Sequence, residues 1–136
     1  MDNLYDNTPG VVELKANDLQ KLDNAAGELK VIATRPEFNN KVYFLAFYAP
    51  WCGHCVRMVD DVKLLAKALK NEGFLVGAVN CEANKQELDK RQINITSFPT
   101  LFFVKDNVPV KYEGARDLKS LLDHLCSSLG KCVRRN

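Results

Sequence analysis

One hundred and thirty-six residues, 46 % of them hydrophobic, are enough for one domain-sized core; disordered, collagen-like and low-complexity classes are excluded. Nineteen basic against seventeen acidic residues leave a net charge of +2. No basic stripe appears beyond Lys131, Arg134 and Arg135, so no nucleic-acid partner is expected. The longest apolar run, residues 42–51, is about half the ~20 a bilayer demands, so no membrane span is expected either.

With no internal repeat and no Gly/Ser linker, residues 1–136 read as a single domain, its core at about residues 9–129 and a tail at 130–136. The opening MDNLYDNTPG is not a secretory signal and the closing CVRRN is not a retention signal. An unsecreted chain and a mature piece of a longer one both stay open. In chain order, Val11–Leu14 is a short β-type run after Pro9-Gly10. Asn17 or Asp18 then caps a helix carrying Leu19, Leu22 and Ala26, ending near Gly27. Residues 29–40, punctuated by Arg35-Pro36 and Asn39-Asn40, read as helix fragment or loop. Val42–Tyr48 is apolar without alternation, as a strand buried on both faces should be, and Pro50 stops it.

Residues 52–71 turn helical: Cys55, Val59, Val62, Ala66 and Leu69 recur at spacings of four and three, and Glu72-Gly73 ends the run. A second buried strand follows at 74–79 and a helix at 82–92. Residues 100–104 and Val108–Tyr112 flank Asp106-Asn107, a good hairpin turn. A last helix runs from Asp117 through Leu118, Leu121, Leu122, Leu125 and Leu129 to Gly130. The order βα, βα, βα, ββ, α predicts an α/β fold with a mixed sheet covered on both faces.

The chemistry concentrates at Cys52-Gly53-His54-Cys55, where a buried strand gives way to a helix. The first helical turn aims unpaired N–H groups and the positive end of the dipole at what sits there, so a thiolate is favoured over a thiol. Two intervening residues bring the sulfurs within bonding distance. Cys52 is then the exposed attacking sulfur, and Cys55, on the apolar face, the resolving one. The blander alternatives are a structural disulfide or half of a zinc site. No second C-x-x-C or H-x-x-x-H accompanies the pair, so no metal is expected. Cys81, at a strand end, reads as a buried, inert thiol rather than a ligand. Cys126 and Cys132 can close a fold-back disulfide, or Cys132 can stay free to link chains or meet a redox partner.

Ala49-Pro50-Trp51-Cys52-Gly53-His54-Cys55 resembles the active-site junction of the protein disulfide isomerase branch of the thioredoxin superfamily. Val79-Asn80-Cys81-Glu82, Ser97-Phe98-Pro99-Thr100 and Tyr112-x-Gly114-x-Arg116 are similar to that family's further motifs, so the likeness covers about residues 9–129. It implies a thioredoxin fold, a cis Pro99 facing the disulfide, and dithiol–disulfide exchange with no cofactor beyond the Cys52–Cys55 pair. Phe98 and Pro99 would offer backbone to an extended substrate, Trp51 an apolar wall, and a His54 imidazolium support for the Cys52 thiolate. His124, on the last helix, is read as solvated or at the core's edge.

Three positions depart from the family. The buried carboxylate six residues before the first active cysteine is Ala46; the lysine after the second is Val56; the helix-kinking proline is Asp60. The departures predict slow resolution, with Arg116 swinging inward to stabilise the Cys55 thiolate. The reading is an oxidase, isomerase or reductase of cysteine-containing client proteins, expected as a monomer. Glutathione or a flavin-dependent sulfhydryl oxidase would be its redox partner. A thioredoxin-fold chaperone or binding module, and an electron-relay domain, are the alternatives. Gly-His between the cysteines favours an oxidising compartment such as the endoplasmic reticulum lumen or secretory pathway. The signals missing from both ends leave a cytosolic or virion-associated place open.

Overall fold

The computed structural model describes residues 2–23 and 26–133. Of the basic tail, Arg134 and Arg135 lie outside the described residues.

The centre of the fold is β4 (Val42–Tyr48), whose last six residues are all buried. It pairs in parallel with β5 (Phe74–Asn80) and antiparallel with β6 (Thr100–Lys105). β1 (Val11–Leu14) adds in parallel outside β5, and β7 (Val108–Tyr112) antiparallel outside β6, giving the order β1-β5-β4-β6-β7. The mixed sheet predicted from the sequence is therefore present. Asp106 and Asn107 turn the β6–β7 hairpin at φ 53° and 62°, the left-handed pair that suits the twist of two-residue hairpins.

One face is covered by α1 (Gly53–Arg57), α2 (Val59–Ala68) and α4 (Leu118–Leu129). Its core includes Phe44, Ala46, Tyr48, Cys55, Val62, Leu65, Phe103, Leu121 and Leu125. The opposite face holds Leu14, Phe38, Leu45, Phe47, Val79, Leu88 of α3 (Lys85–Lys90) and Phe102. Period-2 alternation along β4 sends Phe44 to Phe103 on the first face (ring centroids 4.8 Å) and Phe47 to Phe102 on the second (6.1 Å). Asp117 caps α4 by accepting from Ser120 N–H at 3.2 Å, and Gly130 ends it in the left-handed region.

The first helix expected from the sequence does not form. Asp18 Oδ2 accepts from Lys15 N–H at 2.8 Å and closes a single 3-10 turn, Ala16–Asp18. The chain then extends as β2 (Leu19–Lys21), antiparallel to β3 (Val31–Ala33) in a separate two-stranded sheet. Leu19 is buried there by a partner twelve or more residues away, which helical spacing cannot reveal. Residues 29–40, expected as helix fragment or loop, thus include β3 and a second 3-10 turn at Pro36–Phe38. The helix predicted over 82–92 shrinks to α3 because buried Asn80 accepts from the N–H groups of Glu82 and Ala83, both at 3.1 Å, and holds a turn instead. Residues 52–71 split at Met58, whose N–H turns back to Val56 O and breaks the ladder without a proline.

Candidate functional site

Cys52 is the N-cap of α1, set there by a turn in which its own N–H donates to Ala49 O at 3.0 Å. Its thiol donates to Phe98 O at 3.7 Å, and the Phe98–Pro99 peptide is cis, as the resemblance implied. The β4–α1 junction and the loop entering β6 therefore meet at one sulfur. Cys55, one turn on, is fully buried in the core.

The two thiols are driven apart. Burial works against ionising Cys52, but hydrogen bonds from the Cys55 backbone and side chain and the His54 N–H, with the nearby Arg57 charge, outweigh it and lower its pKa. For Cys55 burial dominates. It pushes the thiol up to about 12, reinforced by the Cys52 sulfur and opposed by a backbone hydrogen bond at Ala49 and the charge of Arg116. At neutral pH the pair holds a nucleophile in front and a proton behind.

His54 is exposed, and its Nδ1 lies 2.9 Å from Arg57 Nη2. A guanidinium can only donate, so Nδ1 is the acceptor in this contact. The Arg57 charge lies near enough to Cys52 to favour its thiolate, and His54 adds its backbone N–H. Arg57 escaped the sequence reading, although its place three residues after His54 on a helix is the available signal.

Trp51 is 59 % exposed, and its ring stands edge-on to Phe98 at 5.9 Å. Its Nε1–H donates to Glu82 Oε2 at 3.2 Å, a second partner that sequence did not single out. Trp51, Phe98, Ile95, Leu88 and Cys81 line a cavity of about 220 Å³ beside the active pair. Pro99 is half-buried next to it. On the other side of α1, exposed Arg116 shares a shallow pocket of about 190 Å³ with His54, Arg57, Met58, Asp61 and Asp117. Ala46 lies fully buried in the core that contains Cys55. Cys81 is buried on the opposite face, and Cys126–Cys132 is a disulfide at the end of α4. Among the described residues no cluster of three or more His, Cys, Asp or Glu could hold a metal ion.

A central mixed sheet, a cysteine pair opening a helix and a cis proline facing it define a thioredoxin fold. The Thioredoxin family model matches residues 28–127, and the chain belongs to that family. It is 32 % identical over 133 residues to protein disulfide-isomerase A6 of Mesocricetus auratus, covering 96 % of this chain and 27 % of that protein. It is 35 % identical over 98 residues to the Drosophila melanogaster protein disulfide-isomerase A6 homolog, covering 71 % and 22 %. The chain thus spans about a quarter of the length of these relatives. Among solved structures it resembles the J-Trx1 fragment of ERdj5, with TM-score 0.64, 25 % identity, and coverage of 93 % of this chain and 55 % of that one.

Proposed function

We propose that this chain is a thiol–disulfide oxidoreductase of the protein disulfide isomerase type. The observation that carries the reading is the divided pair: Cys52 lowered at a helix N-terminus, Cys55 raised in the core behind it. The Cys52 thiolate attacks a substrate disulfide, forming a mixed disulfide and releasing one substrate sulfur as thiolate. Cys55 loses its proton and attacks the Cys52 sulfur; the Cys52–substrate bond breaks and the second substrate sulfur leaves. Run backwards, the same steps place a disulfide in the client. Cysteine-containing proteins are the substrates, the backbone at Phe98 and Pro99 pairing with an extended segment while Trp51 walls it. Arg57 and the His54 N–H hold the nucleophile, and Arg116 steadies the Cys55 anion.

Glutathione or a flavin-dependent sulfhydryl oxidase would exchange electrons with the pair. An oxidising compartment suits the Cys126–Cys132 bridge and the relatives named protein disulfide-isomerase. Among the described residues no helix is long and apolar enough to cross a membrane. Insulin-disulfide reduction tests the proposal: the wild type should accelerate it and Cys52→Ser should return it to the uncatalysed rate. Equal activity of the two would overturn the reading.

A further inference from the structure

For Cys55 to attack, its proton must leave a core that excludes water, and Ala46 offers nothing to take it. The sheet supplies a carboxylate from elsewhere. Glu13 of β1 is opposite Ala78 of β5, and Ala78 is opposite Ala46 of β4. The three occupy one row across the sheet and point to the same face, so Glu13 stands two strands, about 10 Å, from the Ala46 position. The small side chains of Ala78 and Ala46 leave the space over that row to two phenols. Tyr48 donates its hydroxyl to Glu13 Oε2 at 2.6 Å, and Tyr5 donates its backbone N–H to the same oxygen at 3.0 Å. The two rings meet edge-on at 5.7 Å, in the core cluster that also holds Cys55. The Tyr5 hydroxyl is buried without a hydrogen-bond partner among the described residues, a costly arrangement in a core. It also lies within electrostatic reach of both Cys55 and Glu13.

We infer that Glu13 is the proton acceptor of the resolving step, with Tyr5 and Tyr48 carrying the proton to it from Cys55. The inference rests on the thiol–disulfide exchange proposed above. As the Cys55 S–H bond breaks, the proton ends on the Glu13 carboxylate; the sulfur attacks Cys52, and the substrate leaves with the electron pair of the broken Cys52–substrate bond. Glu13 is only half-buried, on an edge strand, so it can return the proton to solvent. Burial holds Glu13 above its ordinary 4.5, against the pull of the Tyr48 and Tyr5 hydrogen bonds, and Asp6 adds to the rise. These, with Ala78 opposite on β5, are what faces the carboxylate; Arg116 and Cys52 act on the thiol end.

The reduced protein mixed with 5,5′-dithiobis(2-nitrobenzoate) separates the steps in a stopped-flow instrument. Cys52 attack releases the first coloured thiolate, and Cys55 displaces the second, a phase that Cys55→Ser must lack. In the wild type the second phase should lose rate on acidification, with an inflection above about pH 4.5, and should be flat above it. Glu13→Gln keeps the acceptor oxygen and should slow the second phase by about tenfold or more at pH 7. It should replace the plateau by a rise of about tenfold per pH unit, leaving the first phase within about twofold. Glu13→Asp should keep the inflection, and Ala46→Glu added to Glu13→Gln should restore the rate. Tyr5→Phe, which deletes only the unpartnered hydroxyl, should slow the second phase by about threefold or more. Absence of the first phase would defeat the exchange reading itself. A normal first phase with an unchanged second phase in Glu13→Gln or Tyr5→Phe would overturn the inference alone. A wild-type second phase without an inflection would do the same without any variant.

Discussion

The sheet separates two buried thiols that both resist ionisation. Cys55, on the face covered by α1, α2 and α4, and Cys81, on the opposite face, are both pushed up to about 12, chiefly by burial. Their surroundings differ. Around Cys55 stand the Cys52 sulfur, the charge of Arg116 and the hydroxyl of Tyr5. Cys81 donates to Val79 O at 3.8 Å and feels the Cys55 sulfur across the sheet, but among the described residues no other charge and no hydroxyl acts on it. Burial alone therefore does not assign a function to a cysteine. A sulfur to attack and somewhere to send the proton do.

The largest expected effect concerns ionisation. At pH 7 a thiol with a pKa near 12 is ionised at about one part in 10⁵, whereas one below 9 exceeds about one in 10². Iodoacetamide should therefore label Cys52 at least about 10³-fold faster than Cys55 or Cys81, as read by peptide mass spectrometry. Comparable labelling of Cys52 and Cys81 would erase the contrast. The two raised thiols are then told apart by substitution. Cys55→Ser should trap the mixed disulfide with a client protein and lower its decay by about 10²-fold or more, while Cys81→Ser should leave decay within about twofold. Trapping by Cys81→Ser would bring the second thiol into the mechanism.

Packing sharpens the difference between the faces. A Cβ on Gly77 of β5 would meet Leu14 Cδ1 at 2.7 Å and Leu45 Cδ1 and Phe38 Cζ at 3.3 Å, all on the face that holds Cys81. Gly77→Ala should cost about 1–3 kcal/mol in urea unfolding and leave mixed-disulfide decay unaltered. The smallest effect is expected at His124, stacked on Phe103 at 5.0 Å and edge-on to Tyr112 at 4.9 Å. Partial burial lowers its pKa from the ordinary 6.5. Above that pH both folded and unfolded states are neutral. As pH falls below it, the unfolded chain takes up a proton that the folded one resists, so stability is lost with acidification. His124→Phe should flatten the corresponding slope of Tm against pH.

What could be read from the chain follows how local the cause is. The β4 run, the Asp106-Asn107 turn, the Asp117 cap and the Gly130 stop each act within a few residues, and each lies where the sequence put it. β2 and β3 are three residues long and exist through each other, so Leu19 read as a helical residue. The Cys52-Gly53-His54-Cys55 junction was visible because strand, motif and helix are contiguous. Glu13 was not, since a carboxylate in a short strand reads as surface. Its one signal was its alternation with Val11, which points it inward on the same face.

The central place of β4 has a consequence for the growing chain. Both of its ladder partners come later: β5 begins at residue 74 and β6 at residue 100. During synthesis the seven residues Val42–Tyr48, none of them charged, therefore emerge with two unpaired edges and wait for strands still inside the ribosome. Such a segment is a template for pairing with other chains until its own partners arrive. At roughly 5–20 residues per second, the interval between the end of β4 and the end of β6 lasts about 3–11 s. Chaperone cover over that interval would keep those edges from pairing with other chains.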